Sequence, residues 1–280
     1  MNPSKSQHPT ASPSSDSQPD YAVVVPAYNE QDMLPRTIAA LQAAMGSVND
    51  YHGQLIVVDN NSTDATAEVA RQHGAEVVFE PINQISRARN AGARATCTPF
   101  LVFVDADTVI TPDLLNGAVK LLDSGAVCGG GATVDSEDPC PKRARRTLDG
   151  WNWLARRLKW AAGCFVFCSR DAWEAVGGFS HEVYASEEIW FSRDVRKWGA
   201  ARGQEFIIHP ERVNTSMRKL EWYSEARLAW LTARFLFFPW LLRSKKHCEL
   251  WYERPCEERG AEPSSHKSAA DQTPSAGPPE

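Results

Sequence analysis

Two carboxylates one residue apart, Asp105 and Asp107, come directly after the apolar run Phe100-Leu101-Val102-Phe103-Val104. Strand alternation would send both acids to one side and Ala106 to the other. Like charges set side by side in a buried place are costly without a positive partner. A hard divalent cation is the natural partner, because Mg2+ and Mn2+ take oxygen ligands and often share themselves with a substrate diphosphate. The plainer alternative is local: Asp105 starts a turn and Asp107 caps the next element. A second acidic pair, Glu187-Glu188, comes just after Ser186. Ser186 to Trp198 reads as a helix with Ser186 as N-cap and Gly199 past its end. Both acids then occupy the first turn, where the helix dipole favours an ionised carboxylate, as a general base must be. Acids at that position also serve simply to satisfy a helix N-terminus.

The elements that must position these acids are legible upstream. Ala22-Val23-Val24-Val25 is a buried strand ended by Pro26, and Asn29 is a plausible N-cap for a helix carrying Met33, Leu34, Ile38 and Leu41. Leu55 to Asp59 is a second strand. Ser62-Thr63-Asp64 opens a second helix, closed by Gly74. Glu76 to Phe79, Ser86 to Thr96 and Phe100 to Val104 read as strand, helix and strand, and Thr111-Pro112-Asp113 starts another helix. Alternating helices and wholly apolar strands predict a parallel sheet covered on both faces. Right-handed crossovers place all the strands' C-terminal ends on one edge, where open α/β sheets bind ligands. Pro26-Ala27-Tyr28-Asn29-Glu30, Asp59-Asn60-Asn61 and Asp105-Ala106-Asp107 fall on that edge and define one crevice.

Taken in order, Val24-Val25-Pro26-Ala27-Tyr28-Asn29-Glu30, Val57 to Thr66, Asp105-Ala106-Asp107, and Gly177-Gly178-Phe179 followed by Ser186-Glu187-Glu188 resemble the motifs of the family-2 glycosyltransferases. The resemblance covers about Tyr21 to Pro210. It implies a nucleotide-diphospho-sugar transferase fold of the A type, a mixed and mainly parallel sheet sandwiched by helices. It further implies that Pro26, Tyr28 and Glu30 line the nucleoside pocket and that Asp59 hydrogen-bonds the base. Asp105 would lie against the ribose or the metal, and Asp107 would ligate Mn2+ or Mg2+ on the diphosphate. Arg87 would sit near the nucleotide, or else be a solvated helix charge. Glu188 aligns with the base position, although this chain reads Glu-Glu where the family commonly reads Glu-Asp, so Glu187 remains a competitor. His209 either adds a metal ligand or packs at a strand end. The implied partners are a nucleotide-diphosphate-sugar donor and a hydroxyl-bearing acceptor, whether glycan, lipid or small molecule, and the implied chemistry is transfer with inversion. A nucleotidyltransferase of related fold would need a Gly-rich basic loop where Pro-Ala-Tyr-Asn-Glu stands. A silent sugar-nucleotide binding module would not need acids at 187 and 188.

Composition sets the wider frame. The chain has 280 residues and a net charge of -5, which gives no broad basic field for nucleic acid. Basic clusters at 142–146 and 156–159 suit an anionic substrate, lipid headgroups or a solvated face. Seven cysteines lack paired Cys-x-x-Cys spacing, and Cys164 and Cys168 read as small core residues. No signal-peptide pattern begins the chain, so a cytoplasmic setting is expected. Residues 1–19 and 253–280 read as disordered tails. Between them lie a glycosyltransferase domain over 20–220, with a nucleotide-binding half at 20–110 and an acceptor half at 111–220, and an aromatic C-terminal helix over 221–252. Val213 to Lys219 carries hydroxyls and cations suited to a phosphate-closing loop or an ordinary turn. The apolar stretch Phe235 to Leu242 is far short of the roughly 20 residues a spanning helix needs. Residues 228–246, with their basic flank, suit either peripheral contact with the inner membrane face or packing on protein.

Overall fold

A computed structural model describes residues 18–136, 142–216, 227, 230, 234, 235, 237–248 and 252, with no side chain described at 142–144 or 239. Both expected tails fall almost wholly outside these residues, as do 217–220 and most of 221–233. The chain alternates β1 (Tyr21–Ala27), α1 (Leu34–Gly46), β2 (Gly53–Asp59), α2 (Thr66–Gln72), β3 (Glu76–Phe79), α3 (Ile85–Arg94) and β4 (Phe100–Val104). Next come β5 (Thr108–Val109), α4 (Pro112–Asp123), β6 (Val127–Ser136), α5 (Lys142–Leu158), β7 (Phe165–Ser169), α6 (Arg170–Val176), α7 (Glu187–Ala200) and β8 (Glu205–Thr215).

One eight-stranded sheet in the order β3-β2-β1-β4-β7-β6-β8-β5 runs through both expected halves. The β1–β2, β1–β4, β2–β3 and β6–β8 pairs are parallel, whereas β7 is antiparallel to both β4 and β6. The result is the mixed, mainly parallel sheet expected. Because β7 is reversed, β6 and β8 again run with β4, and their C-terminal ends reach the same edge.

The strands are apolar throughout because helices cover both faces. Tyr21, Val23 and Val25 point to the side of α1 and α4, joining Leu34, Ile38, Leu41, Leu114 and Leu115 in one core. Ala22 and Val24 point to the opposite side, with Ala88 of α3, Trp173 of α6 and Phe191 and Val195 of α7. Each fully buried branched side chain contributes about 1.5–3 kcal/mol. Gly92 of α3 lies so close to Val24 and Val58 that any Cβ would collide with them, which seats the helix tightly on the sheet.

Helix boundaries obey local chemistry. Thr111 caps α4 by accepting the Leu114 amide at 3.2 Å, with Pro112 in the first turn. Gly74, at φ +79, comes after the end of α2 as expected. Three expected starts move. Asn29 does not cap α1; it adopts φ 53, and its Oδ1 accepts the Thr63 amide at 2.8 Å, stitching the β1 and β2 end loops together. α2 begins at Thr66, where Asp64 accepts the Thr66 amide at 3.0 Å. Ser186 precedes α7 but is left-handed, with no side-chain cap bond, and the helix runs through Gly199 to Ala200. Gly199 lies inside the helix, where a Cβ would strike Cys128.

Cys164 and Cys168 are buried and unpaired, as core residues should be. Of the C-terminal segment, Pro239–Arg243 and Lys245–His247 form short 3-10 turns rather than an α-helix. Leu242 and Cys248 bury against Val183 and Ala185, while Trp230, Phe237, Phe238 and Trp240 are exposed. Among the described residues, no helix is long and apolar enough to cross a membrane.

Candidate active site

The edge formed by the C-terminal ends of β1, β2 and β4 gathers the residues expected there. Pro26 and Ala27 pair with Val58 and Asp59 across β1 and β2. Tyr28 is half-buried just beyond β1. Glu30 is 8% exposed, and its amide donates to Thr66 Oγ1 at 2.8 Å. Asp59 is also buried and accepts the Ser62 amide at 3.0 Å. Two left-handed residues, Asn29 and Asn61, turn the chain away at the strand ends.

Asp105 and Asp107 lie in the turn between β4 and β5, not on a strand, so strand alternation does not orient them. The turn is fixed by its own bonds instead. Thr108 N–H donates to the Asp105 carbonyl at 3.1 Å, and Thr37 Oγ1 of α1 donates to the Ala106 carbonyl at 2.7 Å. The Asp107 carbonyl accepts from Ser216 N–H at 3.1 Å, tying the turn to the end of β8. Asp107 is 6% exposed, and the Asp105 side chain 23%.

The positive partner of this acidic edge is Arg89. Its side chain is 1% exposed, and it donates to Asp105 Oδ1 at 2.9 Å, to Glu187 Oε1 at 2.6 Å and to the Gly163 carbonyl at 2.8 Å. The guanidinium also lies 5.2 Å over the Phe179 ring. One cation thus joins the Asp-Ala-Asp turn to the first turn of α7. The charges of Asp105 and Glu187 hold Arg89 above its ordinary range, outweighing the burial that lowers it. Sequence reasoning singled out Arg87 and passed over Arg89. Arg87 Nε donates to Gln84 Oε1 at 3.0 Å in the first turn of α3. The available signal was periodicity, since Arg89 stands one turn before Ala93 and one turn after Ser86, on the buried side of α3.

The two glutamates differ. Glu187 is buried on Arg89, and burial pushes its carboxyl up against the pull of that guanidinium. Glu188 is half-buried beside Gly163. Burial first, then the Glu187 charge, lifts it to about 8.

Gly177-Gly178-Phe179 builds the floor. Both glycines are left-handed, at φ 78 and 73, and a Cβ on Gly178 would run into Asn90 Oδ1. Asn90 Oδ1 accepts the Phe179 amide at 2.9 Å, and its Nδ2 donates to the Phe179 carbonyl at 2.8 Å. Phe179 then stacks on Phe191 at 4.2 Å and meets Phe103 edge-on at 4.9 Å, directly under Arg89. The close approach that Gly178 permits is to Asn90, whereas Gly177 faces open space.

His209 is not brought to this site. It lies on β8 against Gly117 of α4, and its Nδ1 accepts the Glu211 amide at 3.1 Å. It stands six residues before Thr215, the partner of Thr108, on the order of 20 Å along the strand. Burial lowers its imidazole pKa against the opposing charge of Glu211. Among the described residues, no three His, Cys, Asp or Glu side chains form a ready-made metal-binding group.

Comparison with known proteins agrees with this architecture. The model of glycosyl transferase family 2 matches residues 22–177. An uncharacterized glycosyltransferase of Mycobacterium tuberculosis is 38% identical over 136 residues, 48% of this chain and 53% of the relative. Validoxylamine A glucosyltransferase of Streptomyces hygroscopicus subsp. jinggangensis is 29% identical over 107 residues, 36% of this chain and 25% of that one. The chain thus spans about half the length, or less, of these curated relatives. Among solved structures, a mannosyltransferase from Pyrobaculum calidifontis in complex with GDP-Man and Mn2+ has a TM-score of 0.58 at 21% identity, over 80% of this chain and 63% of that one. Glucosyl-3-phosphoglycerate synthase from Mycobacterium tuberculosis, in complex with Mn2+, UDP and glucosyl-3-phosphoglycerate, has a TM-score of 0.56 at 17% identity, over 80% of each chain. The fold is that of the A-type glycosyltransferases.

Proposed function

Because the chain belongs to glycosyl transferase family 2, we propose that it moves a sugar from a nucleotide-diphosphate donor to an acceptor hydroxyl with inversion at the anomeric carbon. One observation carries this reading: Arg89 ties Asp105 at the end of β4 to Glu187 at the start of α7. The turn that carries the acids suited to the donor diphosphate is thereby tied to the helix start that carries Glu188.

In this reading Pro26, Tyr28, Glu30 and Asp59 receive the nucleoside. Asp107 and Asp105 would hold Mn2+ or Mg2+. Carboxylate oxygens are the donors that such hard ions take. When bound, the ion offsets the charge that grows on the departing diphosphate. Glu188 is the base. Its carboxylate accepts the acceptor's hydroxyl proton as that oxygen bonds to the anomeric carbon and the bond to the diphosphate breaks. Glu187, committed to Arg89, holds the start of α7 in place.

The test is a panel of UDP-, GDP- and dTDP-sugars incubated with the full chain, with and without Mn2+, while release of the nucleoside diphosphate is measured. Release from at least one donor, dependent on the cation and lost in Asp107→Ala, is expected. Release that continues unchanged in excess chelator sinks the reading.

A further inference from the structure

At the far end of the same edge, β6 and β8 finish in a charged cluster that the donor and base assignments do not use. Asp135 Oδ1 accepts from Arg145 Nη1 at 2.5 Å, and Asp135 Oδ2 accepts from Arg212 Nη1 at 2.8 Å. Arg145 comes from α5 and Arg212 from β8, so three elements meet on one carboxylate. Asp135 is 16% exposed, whereas the two arginine side chains are 44% and 46% exposed. Burial works against its ionisation, but the Arg212 bond, the Ser136 amide and the two positive charges hold it below the ordinary carboxylate range.

Two guanidinium groups on one carboxylate leave a net positive charge. Each guanidinium carries five N–H donors; Arg145 gives two to Asp135, from Nη1 at 2.5 Å and Nη2 at 3.4 Å, and Arg212 gives one, from Nη1. An exposed salt bridge stabilises little, so knitting the strands together does not need a second arginine.

Strand register sets the distance to the donor site. Asp135 pairs with Asn214, and Asn214 pairs with Val109. Two strand spacings, about 10 Å, therefore separate Asp135 from Val109, and Asp107 lies two residues before Val109 in the chain. That interval suits an acceptor that presents its hydroxyl to the transferred sugar and an anionic group to the arginines.

We propose that Arg145 and Arg212, held together on Asp135, form an anion subsite that receives the phosphate of a phosphorylated acceptor. This assignment rests on the transferase reading. Planar forks of N–H donors match phosphate oxygens, and charge-assisted bonds are the strong ones. Phosphate on a small molecule and phosphate on a lipid headgroup share this chemistry.

The experiment measures binding of glycerol 3-phosphate, inorganic phosphate and glycerol to the full chain by titration calorimetry. In parallel, the chain is sedimented with phosphatidylcholine vesicles, with and without phosphatidic acid. Both soluble phosphates are expected to bind at least about tenfold more tightly than glycerol. Binding of the phosphates should weaken about tenfold or more in the double variant R145Q/R212Q and largely return in R145K/R212K. R145Q is also measured alone, so that poor folding of the double variant leaves the test standing. If the headgroup is the source, phosphatidate vesicles carry down the wild type and not the variant. Glutamine variants that bind every phosphate probe as the wild type does, or a wild type that does not prefer phosphate to alcohol, overturn the subsite. Donor turnover is read in the same samples: its absence defeats the transferase reading, whereas turnover without phosphate preference defeats the subsite alone.

Discussion

Arg89 and Glu187, separated by 98 residues in sequence, meet at 2.6 Å in the interior, where each side chain is 3% exposed or less. The contact explains how an α7 acid can stand at a fixed place relative to the β4 turn. Breaking one side of a buried ion pair leaves the other charge uncompensated and costs about 3–5 kcal/mol.

Arg89→Met should therefore lower stability by about that amount, read as a fall in the urea midpoint. Pairing it with Glu187→Gln removes one stranded charge and should recover part of the loss. Turnover should stay low in both variants, because Asp105 loses its bond to Arg89 as well. Equal stability of Arg89→Met and wild type would show that the network contributes nothing to folding.

The two glutamates are separable by substitution. Glu188→Gln should lower transfer by about 10²–10⁴-fold while nucleotide affinity stays near that of the wild type, since a general base contributes on that scale. Full activity in Glu188→Gln would move the base role to Glu187.

Glu188 also sets the expected pH dependence. Burial and the neighbouring Glu187 lift it to about 8, and only its ionised form accepts a proton. The ratio kcat/KM should thus rise with pH and level off above about 8, losing activity as Glu188 becomes protonated on the acid side. The same profile measured in Glu188→Gln should lose this step. A wild-type profile flat from pH 6 to pH 9 would contradict the assignment.

Much of this was legible in the sequence, for identifiable reasons. Wholly apolar runs such as Ala22–Val25 signal strands covered on both faces, and the Thr111-Pro112-Asp113 start of α4 needs only local chemistry. Polar residues just past apolar strands mark a sheet edge, so the places of Tyr28, Asp59 and Asp105 could be read from topology. Features set by distant partners were not legible. Asn29 looks like a cap, yet it bonds to Thr63 across the crevice. Gly177-Gly178 signals freedom in φ but does not reveal that Asn90 fills the space beside it. Arg89 hides as one of several helix cations until its face of α3 is seen to be buried.

His209 provides a check on that distinction. A strand-end histidine is a metal ligand only if tertiary structure brings it to the carboxylates, and here it packs against Gly117. His209→Asn should leave the Mn2+ concentration for half-maximal turnover within about twofold of the wild type, a difference of under about 0.5 kcal/mol. A large rise would return the residue to the ion's shell.

The most direct measurement is the affinity of the wild type and of Asp107→Asn for the preferred nucleotide sugar, each determined with Mn2+ and with chelator. Mn2+ should tighten donor binding to the wild type by about tenfold or more, and Asp107→Asn should lose most of that gain. Donor affinity indifferent to the cation in both proteins, with transfer continuing in chelator, would contradict metal-assisted departure of the diphosphate.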